Sequence, residues 1–147
     1  MRYTTVILSL LLTINLHAQQ KEKWKLNAIY LGSVVANGIG DGLNDSGKKE
    51  WGHAMNAISI SLLVVSPFIH NYNQDVWWKP LIKYSFIRIG FFDWTYNMTR
   101  QLPVTYIGTS SWWDQGMQKL NPPDGFAMGR IVFTTIGFAI PVTHMKE

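Results

Sequence analysis

The sequence predicts an all-α fold, a small membrane-embedded bundle of about four helices behind a cleaved signal peptide. Three observations predict it. An apolar leader occupies residues 1–18, four apolar segments of helical length follow between turn-forming residues, and charged residues make up only 15% of the chain while aromatics reach 14%. Typical soluble domains are roughly a quarter charged, so this balance favours lipid as part of the solvent.

The leader has the three parts of a secretory signal: Arg2 gives a positive start, Tyr3 to Leu16 an apolar run, and His17-Ala18 a small-residue exit. The run is too short for an ordinary span. Cleavage before Gln19 is therefore expected, leaving 19–147 as a single helical domain with no linker. The exit His17-Ala18-Gln19-Gln20 resembles those of bacterial signal peptides, and the expected location is the bacterial inner membrane. A mean hydropathy of only +0.01 keeps a soluble periplasmic helical domain as the alternative. Cysteine is absent, which excludes disulfides, thiolate metal sites and cysteine nucleophiles together. The net charge of +4 would suit nucleic acid, but the basic residues are scattered and export removes the chain from it, so no nucleic-acid partner is expected. The expected partner is the bilayer.

The first segment, Leu26–Leu43, carries Gly32, Ala36 and Gly40 every four residues, a groove into which another helix packs closely, from this chain or from a second copy. Asn44-Asp45-Ser46-Gly47 then makes a turn. The second segment, Ala54–Ile69, is expected to end at Pro67 and Asn71-Tyr72-Asn73. The third, Leu81–Met98, follows Pro80, a residue suited to a first helical turn, and Trp77-Trp78, rings suited to a membrane surface. Residues 101–125 are too polar to span, and 111–120 predict a short interfacial helix. Asn121-Pro122-Pro123-Asp124-Gly125 breaks the chain before the fourth segment, Phe126–Val142.

Helical spacing puts Asn37, Asp41 and Asn44 on one face, and Asp93, Asn97 and Arg100 on another. With the segments running in alternating directions, Asp41, His53, Asn56, Asp93, Asn97, Arg100 and Arg130 share one end. Ionisable groups near lipid need partners or water. The structural expectation pairs Asp93 with Arg100 or Arg130, and Asp41 with His53 or a lysine. The functional expectation makes Asp41, His53 and Asp93 acid–base candidates, with Asn37, Asn56, Asn97, Arg100 and Arg130 binding a lipid headgroup or phosphate. A structural or partner-binding protein is the first expectation and a membrane-embedded enzyme the alternative. Arg88, five residues before Asp93, points about 140° away from it and falls outside the cluster.

No motif overrides this. Gly42 to Lys48 fit seven positions of a phosphate-cradling loop, but Lys49 stands where the magnesium-binding hydroxyl belongs and no strand precedes it. The histidines lack metal-ligand spacing, and Asp41-Gly42-Leu43-Asn44-Asp45 lacks the alternating carboxylates of a calcium loop. Neither metal nor cofactor is expected.

Overall fold

The computed structural model describes residues 23–69, 78–108, 115–116, 119 and 126–141. Among them the fold is all-α, four helices with no strand: α1 (Lys23–Asp45), α2 (Lys49–Ile69), α3 (Trp78–Thr99) and α4 (Phe126–Ala139). The expected signal peptide, residues 1–18, and nearly all of the expected interfacial helix at 111–120 lie outside the described residues.

The helix ends follow local chemistry. Gly47, at φ 80°, closes α1: Gly47 N–H donates to Asn44 O and Lys48 N–H to Leu43 O, at 3.0 and 2.9 Å, so the last carbonyls keep donors. The same motif closes α3 with Gln101 at φ 55° and Leu102 N–H donating to Asn97 O at 2.8 Å. Pro67 lies inside α2 rather than ending it. Proline has no N–H to give Leu63, and the Ser66 hydroxyl donates to that carbonyl instead, at 2.9 Å.

Side-chain pairs fix the order of the helices. Ser33 meets Ser59 and Asn37 meets Asn56, so α1 and α2 are antiparallel. Asn37 meets Arg88 and Asp45 meets Tyr96, so α1 and α3 run parallel. Asp93 meets Arg130 and Lys83 meets Gly137, so α3 and α4 are antiparallel. The main packing pairs are α2 with α1, α1 with α3, and α3 with α4. The four helices form the expected helical bundle, in which the main neighbours run in the row α2–α1–α3–α4. Its small core joins Leu26, Tyr30 and Val34 of α1 to Ile87 of α3, with Tyr30 and Tyr84 edge to face at 5.7 Å between ring centroids.

Close packing around α1 rests on glycines two apart, which point to opposite sides of a helix. A side chain at Gly38 or Gly42 would overlap Phe92, Thr95, Tyr96 or Thr99 of α3, whereas one at Gly40 would overlap Gly52 and Asn56 of α2. Ala36 is buried as well, and Gly32 has room, its nearest neighbour being Leu62.

The expected membrane spans are corrected by the helices themselves: no described helix is long and apolar enough to cross a membrane. The 14 residues of α4 reach about 21 Å against a hydrocarbon thickness of roughly 30 Å. Lys79, Lys83, Arg88 and Asp93 interrupt α3 along its length. Membrane embedding therefore has no support in helix length and apolarity.

Candidate functional site

The polar residues that the sequence groups at one end are arranged as joints between neighbouring helices. Between α1 and α2, the Asn37 amide donates to Asn56 Oδ1 at 3.0 Å and lies 3.4 Å from Asp41 Oδ2, while Asn56 donates to Asp41 Oδ1 at 2.9 Å. Asp41 is thus held by two amides. His53 is exposed, and no described contact joins it to Asp41, so the expected Asp41–His53 pair is replaced by amide partners. Farther along the same seam the Ser33 hydroxyl pairs with Ser59 Oγ at 2.9 Å, and both serines are buried.

Between α1 and α3, four residues spaced by four form a column: Arg88, Phe92, Tyr96 and Arg100. The Arg88 guanidinium sits 4.3 Å from the Phe92 ring centroid, Phe92 stacks on Tyr96 at 6.1 Å, and Arg100 lies 5.8 Å from the Tyr96 ring. Its partners on α1 are Asn37 and Asp45. Arg88 donates to Asn37 Oδ1, Tyr96 OH donates to Asp45, and Arg100 pairs with Asp45 at 3.3 Å. Burial, and then the hydrogen bond to Asp45, push the Tyr96 hydroxyl above its ordinary pKa of 10.0. Arg88 points away from Asp93, since it faces α1 while Asp93 faces α4, but its bond to Asn37 corrects the expectation that it falls outside the polar cluster.

Between α3 and α4, Arg130 is only 1% exposed and pairs with Asp93, whose side chain is 33% exposed. Sequence spacing offers Arg100 and Arg130 as partners for Asp93, and Arg130 is the one it meets. Arg100 goes to Asp45. Nearer the other end, Lys83, 3% exposed, donates to the carbonyls of Gly137, Phe138 and Ile140 at 2.9, 3.1 and 3.1 Å. Three ammonium hydrogens meet three carbonyls at the end of α4, where the helix dipole favours a cation. Sequence reasoning missed Lys83, because its partners lie more than fifty residues away. Asn97, buried, donates to Val104 O and Tyr106 O and pins the segment after α3.

The candidate groups thus divide among separate joints: Asp41 with Asn37 and Asn56, Asp45 with Tyr96 and Arg100, Asp93 with Arg130. Among the described residues no group of three His, Cys, Asp or Glu side chains is placed to hold a metal ion. These features define an all-α helical bundle with polar joints. The chain matches no protein-family model, no curated protein and no solved structure.

Proposed function

We propose that this chain is an exported, membrane-seated helical protein with a structural or partner-binding role. One observation carries the reading: polar side chains lie between the helices while large apolar ones point outward. Ser33, Ser59, Lys83, Asn97 and Arg130 are buried, whereas Ile58, Ile60, Val64, Val65 and Phe68 of α2 are exposed, Phe68 to 85%. In water each such apolar side chain forgoes about 1.5–3 kcal/mol of burial. Against lipid that loss disappears, and helix association passes to small residues and interhelical hydrogen bonds. Glycines and polar joints stand between each pair of neighbouring helices, beside the small apolar core.

The reading requires no crossing. The exposed face of α2 enters one leaflet, and the signal segment at residues 1–18 delivers the chain to a bacterial membrane. A catalytic role draws less support, since Asp41 and Asp93 serve different joints and His53 stands apart from both.

Membrane fractions washed with high salt and then alkali test this. The protein is expected to stay in the pellet, and Val64→Asn with Phe68→Ser is expected to release it without lowering its melting temperature. Complete recovery of the parent protein in the wash overturns the reading. A lipid-free dimer that the same two substitutions dissociate reassigns the face to a second copy.

A further inference from the structure

Both parallel helices begin with the dipeptide Trp-Lys: Trp24-Lys25 opens α1 and Trp78-Lys79 lies in the first turn of α3. Because α1 and α3 run side by side in the same direction, these dipeptides stand at the same end of the array. Trp24, Lys25 and Trp78 are exposed, and the Lys79 ammonium lies 5.9 Å from the Trp78 ring. The end of α2, with Phe68, belongs to this end too, as do the exposed Leu81 and Ile82 of α3.

Charge is distributed unevenly along the helix axes: the opposite end mixes both signs, with Lys48, Lys49, Arg100 and Arg130 among its acids. Every acidic residue among the described ones, Asp41, Asp45, Glu50 and Asp93, lies toward the opposite end. From Lys25 to Asp41 and from Lys79 to Asp93 the helical rise amounts to more than about 20 Å. That is roughly twice the screening length at 0.1 M salt. Among the described residues the charges at the Trp-Lys end are therefore all cationic. Neither α1 nor α3 has an acidic residue in its first turn, and lysine there opposes the helix dipole, so local helix stability does not account for these cations.

We infer that this end is a binding surface for anionic phospholipid headgroups, with Trp24 and Trp78 at the interface and Lys25 and Lys79 on the phosphates. Charge complementarity carries the assignment: the exposed Lys25, the half-buried Lys79 and two exposed indoles border an apolar patch, and indole and ammonium groups favour the boundary between acyl chains and headgroups. The inference rests on the membrane-seated reading and adds lipid selectivity to it.

Sedimentation of the full chain with phosphatidylcholine vesicles, with and without phosphatidylglycerol, tests it. Binding is expected on both, tighter on the anionic vesicles at low salt, with the difference vanishing at high salt. Reversing both charges with Lys25→Glu and Lys79→Glu is expected to weaken anionic binding by at least roughly 30-fold, from about 1 kcal/mol per lysine. Lys48→Glu with Lys49→Glu, at the far end, is expected to change it little. Equal binding to both vesicles overturns the headgroup site and leaves the apolar face in place, whereas binding to neither overturns the membrane-seated reading itself. A loss for the far-end pair as large as for Lys25 and Lys79 also overturns the site, and circular dichroism on both double variants confirms that each is folded.

Discussion

Asp93 and Arg130 differ in exposure, 33% against 1%, and the asymmetry decides which of them tolerates loss of its partner. Asp93→Asn keeps the shape but takes away the carboxylate charge that meets the buried Arg130 guanidinium. A cost of about 3 kcal/mol is expected, the low end for such pairs because Asp93 is partly solvated. Denaturant midpoints measure it, and a variant as stable as the parent would remove the structural account of the pair. Tyr96 carries a different signature. Its folded pKa lies above the unfolded value of 10.0, so the folded state holds the proton more tightly. The stability it contributes is complete below pH 10 and is lost as pH rises through the folded value. Melting temperatures across the alkaline range are expected to fall more steeply for the parent than for Tyr96→Phe.

At the scale of the helix, the glycines of α1 separate by direction. Gly32→Ala meets only ordinary contact with Leu62 and is expected to stabilise by about 0.5–1 kcal/mol through helix propensity. Gly38→Ala runs into the backbone of Phe92 and is expected to cost about 1–3 kcal/mol. Equal effects in a thermal-shift comparison would contradict the two-sided packing. Lys83→Met removes three donors from the end of α4 and is expected to cost on the order of 3 kcal/mol. Hydrogen exchange should then quicken in the last turn of α4 and stay unchanged in α2. Much of this scale was legible in the sequence. Of the four-residue series Gly32, Ala36 and Gly40, the two glycines face Leu62 and Gly52 of α2, and the breaks at Ser46-Gly47 and before Phe126 separate helices where they are seen. What was not legible depends on which helix lies beside which. Spacing on α3 shows Arg88 and Asp93 diverging, but not that each diverges onto a different neighbour. Lys83 and Asn97 are buried for partners that no local pattern names.

For the molecule as a whole, apolar content suggested spans, and what misled was the placement of charge rather than its amount. A low fraction of charged residues is compatible with helices that carry those charges midway, as α3 does with Arg88 and Asp93, joined to their neighbours. The row α2–α1–α3–α4 has a further consequence. It consists of two antiparallel hairpins, and the principal packing between them is the α1–α3 seam, where the core of Leu26, Tyr30, Val34 and Ile87 lies at one end and the Arg88–Phe92–Tyr96–Arg100 column meets Asn37 and Asp45 at the other. Each hairpin carries its own internal joints, Ser33–Ser59 and Asn37–Asn56 in one, Asp93–Arg130 and Lys83–Gly137 in the other. The chain is in effect two halves meeting along one line, so covalent continuity across residues 70–77 is dispensable. Fragments 1–73 and 74–147, produced together in one cell, are expected to copurify as a noncovalent pair. Arg88→Ala with Arg100→Ala should weaken their association, the core of Leu26, Tyr30, Val34 and Ile87 remaining, while each hairpin keeps its helical circular dichroism.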